Sequence, residues 1–428
     1  MTRVLIVAEH ASARFGGEAA LPLHYFRVMT RRGVDVRLIT HARVRAELLE
    51  AFPADVDRIF FIEDTAMHRA MWRLGQFLPA RIAYITTGFV SRLSTQIDQR
   101  RLARRLIREH RIEIVHQPMP VSPREPSLLH SLGAPVVIGP LNGNMEYPPA
   151  FRTTAERGIG GVEKVGRTLS GILNALMPGK RRAAAVLVAN ERTRKALPPG
   201  LSGEVILLQE NGVDLGVWRD ESAPAQLPPS EQACTRFIYM GRLIGLKGVD
   251  LLLQAFKTAA SRSSRSSMSL ALLGDGPERA SLTALAASMG ILADHEDEPG
   301  KVFFAGWRTQ QACASTLRRS DSLILPSLRE CGGAVVLEAM ACGLPVIATA
   351  WGGPLDYLDD TTGILVPPDS REDFVRHLAD AMTALGGSLE LRRGLGAAAR
   401  ARIEKEFDWE RKVDVILQIY GRLAAKAA

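Results

Sequence analysis

The stretch SLILPSLRECGGAVVLEAMACGLPVIAT, residues 322–349, decides the fold. Ser322–Leu325 is an apolar run of strand length, closed by a turn at Pro326. Ala334–Ala341 is apolar throughout except for Glu338 and reads as a helix. Val346–Thr349 is a second strand. Strand, helix, strand in that order is a βαβ unit, and it implies a parallel sheet. Two carboxylates, Glu330 and Glu338, lie within the unit. Gly332 and Gly333 fall at the helix start, where free backbone amides favour an anion. A strand end, a small-residue loop, a helix N-terminus and two acids describe a place to hold a polar, phosphorylated ligand.

The same pattern runs outward in both directions. Upstream, Phe237–Met240 is a strand followed by the loop Gly241-Arg242-Leu243-Ile244-Gly245-Leu246-Lys247-Gly248 and a helix. Ser269–Leu273 is a strand ending in Gly274-Asp275-Gly276-Pro277, and Val302–Ala305 is another. Downstream, Gly363–Val366 is a short strand before the C-terminal helices. Arg242 and Lys247 directly follow a strand among glycines. Two cations there suit a diphosphate, Arg through its planar fork and Lys as a point charge. Charge that develops on a departing phosphate would be stabilised by them. Taken singly, each of these residues reads equally as a surface charge; their order on one carboxyl edge is what points to a site.

The first half repeats the α/β alternation. Val4–Ala8 is a strand, the loop to Gly17 carries Gly16 and Gly17, a helix follows, and Val34–Thr40 is the next strand. Ile112–Val115 is a strand with His116 at its carboxyl end, and Pro135–Ile138 runs into a small polar loop, Gly139–Asn144. Ala184–Ala189 and Val205–Leu208 are further strands, and residues 160–182 read as a helix. Ligands of open α/β sheets bind beyond strand carboxyl ends, so His116 is a candidate beside the more ordinary reading of a structural histidine. Residues 219–234 are polar and proline-rich, a linker by composition.

At 428 residues, with 46% hydrophobic and 23% charged residues, the chain suits two globular domains. Four cysteines without CxxC or metal-ligand spacing exclude a disulfide or zinc framework and fit a reducing cytoplasm. The apolar run at the N-terminus is too short for a signal peptide, and no run is long enough to span a membrane. Residues 69–111 hold ten arginines against Asp98 and Glu109 alone, interleaved with Met71, Trp72, Phe77, Tyr84 and Phe89. Such a basic, apolar segment suits peripheral contact with an anionic membrane surface. No nucleic-acid-binding signature accompanies it, which excludes nucleic acid as a partner.

Together these pieces resemble the retaining glycosyltransferases of family 4, with the GT-B fold. The matching residues are Gly16-Gly17, His116, Asn211-Gly-Val-Asp214, Gly241-Arg242-Leu243 with Lys247-Gly248, Gly274-Asp-Gly-Pro277, and Glu330 to Glu338 continuing to Pro345. The resemblance implies two Rossmann-like parallel-sheet domains facing a cleft. These would be 1–218 for the acceptor, 219–234 as linker, 235–405 for the nucleotide-sugar donor, and a last helix, 406–428, packed back on the first domain. It implies that Arg242 and Lys247 hold the diphosphate, that Glu338 binds the ribose, and that Glu330 lies near the transferred sugar. Gly16, Gly17, Gly333 and Ala334 would offer amides, Phe304 and Gly306 would meet the base, and His116 would approach the reacting sugar. Transfer would proceed on the front face, the leaving phosphate taking the acceptor's proton, with no cofactor and no metal. Where the family often has Glu-Gly-Phe-Gly, this chain has Glu330-Cys331-Gly332-Gly333. The activity expected is transfer of a hexose from a GDP- or UDP-sugar to a glycan or lipid-linked acceptor, at the cytoplasmic face of the cell membrane, in surface polysaccharide or glycolipid synthesis. The alternatives are a GT-B nucleotide-sugar epimerase or hydrolase, and a non-catalytic membrane-associated partner protein.

Overall fold

The computed structural model describes residues 2–152, 170–219, 234–262 and 267–427. Two compact units form. The first comprises Met1–Asn144, Ile159–Glu210 and Trp409–Ala428; the second comprises Met145–Gly158 and Asn211–Asp408.

The first unit is built on a seven-stranded sheet in the order β3-β2-β1-β4-β5-β6-β7. The strands are β1 (Val4–Val7), β2 (Val36–His41), β3 (Ile59–Ile62), β4 (Ile114–Gln117), β5 (Val136–Leu141), β6 (Ala185–Val188) and β7 (Glu204–Leu207). Its paired strands run parallel. Alternation of side chains explains how both faces are filled. Val4 and Ile6 join a core with Leu21, Tyr25 and Phe26 of the helix Gly17–Arg31 and with Val413, Ile416 and Tyr420 of the helix Trp409–Ala427. Leu5 and Val7 point the other way, to Ala103, Leu106 and Ile107 of the helix Thr87–His110. All four β1 side chains are therefore buried, as in a parallel sheet covered on both sides.

The second unit holds a six-stranded parallel sheet, β10-β9-β8-β11-β12-β13. Its strands are β8 (Cys234–Met240), β9 (Ser267–Leu273), β10 (Val302–Gly306), β11 (Ser322–Leu325), β12 (Val346–Thr349) and β13 (Gly363–Val366). Each sheet reverses its winding once, between β1 and β4 in the first and between β8 and β11 in the second. Such reversals part the loops at the strands' carboxyl ends and open a crevice.

Three differences from the sequence reading are physical. β3 was not expected: its four residues, IFFI, lie between Arg58 and Glu63 with no glycine or proline to mark a strand end. The first domain does not extend to residue 218, because Val213 and Trp218 are buried in the second unit's core. Residues 145–152 also fall in the second unit, which no composition shift announces. The expected linker lies outside the described residues from 220 to 233, as does the part of the expected 160–182 helix before residue 170. No described helix is long and apolar enough to cross a membrane.

Candidate functional site

At the carboxyl edge of the second sheet the loops interlock through their backbones. Leu328 and Arg329, after β11, donate their N–H groups to Leu246 O, after β8, at 2.9 and 3.4 Å. Gly353 N–H, after β12, donates to Glu330 O at 2.8 Å, and Gly274 N–H, after β9, donates to Gly306 O at 2.8 Å. Glycine is required where these loops meet. A Cβ on Gly274, at φ +139°, would lie 1.9 Å from Gly241 O. Gly333 caps the helix Ala334–Ala341 at φ 80°, a left-handed conformation that turns the chain from Glu330 into the helix.

This packing gathers most of the expected residues of the second unit. Lys247 Nζ forms an ion pair with the Glu330 carboxylate across the β8/β11 reversal. Tyr239 Oη donates to Arg242 O at 2.9 Å and fixes that loop. The exposed Arg242 guanidinium makes no hydrogen bond or ion pair among the described residues. Of the two cations expected to hold the diphosphate, Lys247 is matched by an acid of the same site and Arg242 is open among the described residues.

Glu338 stands in the second turn of the helix that Gly333 begins. It is half-buried and has no protein hydrogen-bond partner among the described residues, and burial pushes its pKa up to about 7. The carboxyl is also felt by Cys313 of the helix Gln310–Arg319, whose thiol is pushed up by burial first and by Glu338 second. An unpartnered carboxyl beside a helix N-terminus suits an array of hydroxyl donors. Phe304 and Gly306 end β10 on the same edge. Arg279 donates to Phe304 O at 3.4 Å, and Trp307, the next residue after Gly306, is 74% exposed. Trp307 was missed by the sequence reading; an aromatic directly after a strand-ending glycine was the available signal.

In the first unit, Gly16, at φ 98°, caps the helix Gly17–Arg31 and follows β1 at the β1/β4 reversal. Nothing lies within 4 Å of a Cβ built on Gly16 or Gly17, so their backbone is open to approach. His116 is different. It lies inside β4 and is fully buried. Its Nε2–H donates to Gly139 O at 2.6 Å, and its Nδ1 accepts from Tyr420 Oη at 2.6 Å. Burial pushes its pKa down to about 4, so the ring is neutral. The expected role beside the reacting sugar is corrected: His116 ties the last helix to the sheet.

A cavity of about 770 Å³ opens in the first unit at the β1/β4 reversal, lined by Glu9, Glu18, Arg43, Trp72, Arg92 and Glu125 among others. It was not legible in the sequence. Among the described residues one trio has metal-ligand proximity, His41, Asp64 and His68. Two of the three are already engaged: Thr65 N–H donates to His68 Nδ1 at 3.1 Å, His68 Nε2 bonds Thr95 Oγ1 at 2.9 Å, and Arg43 donates to Asp64 at 2.6 Å. His41 Nε2 is buried without a hydrogen-bond partner among the described residues and stands 3.6 Å from Asp64.

Residues 227–402 match the family model described as Glycosyl transferases group 1. The chain is similar to D-inositol 3-phosphate glycosyltransferases, at 35% identity in Mycobacteroides abscessus and 33% in Rhodococcus erythropolis. Each match covers 50% of this chain, with 46% and 47% of the relative. The chain therefore spans about half the length of the curated relatives it matches. Among solved structures, Anabaena HepE in complex with UDP and glucose superposes with TM-score 0.61 at 16% identity, covering 98% of this chain and 100% of that one. Sucrose-phosphate synthase of Thermosynechococcus elongatus gives 0.60 at 17%, over 99% and 100%. These likenesses show the fold, the two Rossmann-like halves of GT-B glycosyltransferases. Over residues 227–402 the chain is similar to the glycosyl transferases group 1, a family of enzymes.

Proposed function

We propose that the chain is a retaining hexosyltransferase that uses a nucleotide diphosphate sugar, GDP- or UDP-linked, as donor. The observation that supports this reading is the ion pair of Lys247 and Glu330 across the winding reversal of the second sheet, with Arg242 in the loop after β8 and Glu338 on the helix after β11. Arg242 and Lys247 supply the positive charge for the diphosphate, and the amides that follow Gly333 supply further donors. Glu338 accepts the ribose hydroxyls. Glu330 holds Lys247 in place and lies at the transferred sugar. Phe304 and Gly306 offer backbone to the base, and Gly16 and Gly17 offer amides from the first unit. As the glycosidic bond breaks, charge grows on the β-phosphate, and Lys247 and Arg242 stabilise it without a metal. That phosphate then takes the acceptor's proton.

The acceptor is a glycan or a lipid-linked acceptor, met at the cytoplasmic face of a membrane. The supporting feature is a run of exposed apolar side chains beside basic ones, with Trp72 67%, Phe77 87% and Ile85 67% exposed.

The test is nucleotide release from a panel of UDP- and GDP-sugars, with and without glycan and lipid-linked acceptors. Release that depends on acceptor and falls by about a hundredfold or more in Arg242→Ala and Lys247→Ala is expected, the scale of a lost electrostatic donor. Release with no need of acceptor would turn the reading to a hydrolase or epimerase. No release from any donor would overturn it.

A further inference from the structure

The first unit's cavity has a charge balance that selects its occupant. It opens where the loops after β1 and β4 part, and its volume of about 770 Å³ is that of a small-molecule site. Two arginines line it, and both are committed. Arg43 donates to Asp64 at 2.6 Å. Arg92 donates to Glu125 Oε1 at 2.6 Å and lies over the Tyr84 ring at 4.3 Å. Two carboxyls that line it form no ion pair with either arginine among the described residues, although Glu9 feels the charge of both. Glu9 has only His10 Nε2 at 3.8 Å, and burial holds His10 below its ordinary pKa. Glu18 has no hydrogen-bond or ionic partner among the described residues. Both carboxyls are raised: Glu9 by burial, which outweighs the opposing pull of Arg92, and then by Glu125; Glu18 by burial and then by Glu125. Lys180, which feels Glu125, is fully buried, donates to Ser122 O at 2.6 Å and is pushed down to about 7.

We infer that this cavity takes an uncharged polyhydroxylated acceptor and rejects a phosphorylated one. The inference rests on the glycosyl-transfer reading and names the acceptor class for it. Carboxyls without a counter-ion accept hydrogen bonds from hydroxyls, while the exposed faces of Trp72 and Tyr84 take the apolar face of a sugar ring. A phosphate in the same place meets two carboxyls of its own sign, while the two arginines of the lining are already paired with Asp64 and Glu125, and that balance discriminates against it. The curated relatives are named for a phosphorylated acceptor, D-inositol 3-phosphate; the charge balance of this cavity is the opposite of what such a group needs.

The experiment uses the full chain and paired probes: myo-inositol with D-inositol 3-phosphate, and glucose with glucose 6-phosphate. Direct binding is read by saturation-transfer NMR and calorimetry, which need no turnover. At least one unphosphorylated member should bind, and its phosphorylated partner should bind about tenfold more weakly or worse, a difference of one decade in Kd. Glu18→Arg, a change at an exposed position, should narrow or invert that preference while the circular dichroism spectrum stays that of the parent. Binding of neither pair, or phosphorylated members binding as well as or better than their partners, overturns the inference. Discrimination against phosphate without nucleotide release from any donor would leave the cavity assignment standing and sink the transfer reading. Acceptor-dependent release that prefers a phosphorylated acceptor would do the reverse.

Discussion

Glu338 is half-buried, and its pKa lies at about 7 against an ordinary 4.5 because burial penalises the charged form. The folded protein therefore holds this proton to a higher pH than the unfolded chain does. Between about 4.5 and about 7 the folded state binds more protons, so the carboxyl's contribution to stability falls as pH rises. Glu338→Gln is expected to flatten that part of a Tm-versus-pH curve. Ribose hydroxyls donated to the carboxylate favour its ionised form, so UDP or GDP binding near pH 7 should release a fraction of a proton. Calorimetry in two buffers of different ionisation enthalpy reads this, and the release should vanish in Glu338→Gln. His116 makes the contrasting prediction. In His116→Phe, Tyr420 Oη and Gly139 O lose their buried partner, at a cost of about 1–3 kcal/mol each. Denaturant titration should show that loss, while turnover per folded molecule stays at the parent level. A large fall in turnover with unchanged stability would return His116 to the site.

Among elements, the helices Ala66–Gly75 and Thr87–His110 divide the arginines of 69–111 into two roles. From Arg92 onward most are spent on the protein itself: Arg92 on Glu125, Arg100 on His130 O, Arg101 on Asp98 and Arg104 on Ser131 O. Most of the exposed apolar residues lie earlier, from Met67 to Ile85, with Val90 and Ile97 less exposed. A membrane contact therefore belongs to the earlier part, where burial of Trp72 and Phe77 in the interface would add to charge attraction. Trp72→Ala with Phe77→Ser is expected to weaken co-sedimentation with anionic vesicles while stability stays within about 0.5 kcal/mol, as for surface substitutions. Equal pelleting of the parent chain with neutral and anionic vesicles would rule out the electrostatic part. Strand bounds were legible where an apolar run ended at glycine or proline, as in β11, β12 and β13. β3 was not, because IFFI lies between Arg58 and Glu63 with no glycine or proline to bound it.

On the scale of the whole molecule, the last helix completes a core that the chain began four hundred residues earlier. Trp409, Val413, Ile416, Ile419, Tyr420 and Leu423 are buried with β1 and the helix Gly17–Arg31. At about 1.5–3 kcal/mol for each buried side chain, their loss is comparable to the total stability of a domain. A chain ending at Asp408 is expected to lose the cooperative unfolding transition of the first unit, seen by calorimetry, and to keep that of the second. The alternation of strand and helix, the glycine loops at strand ends and the parallel sheets were all legible in the sequence, because each rests on residues within a few positions of one another. Tertiary structure alone decided which charges are spent and which are open. Lys247 meets Glu330 across 83 positions, and Tyr420 meets His116 across 304. The first unit's cavity draws its wall from separate segments between Glu9 and Glu125. Sequence order sets local backbone preference, but the partner of a charge or of a buried ring is chosen by the packing of elements remote in the chain.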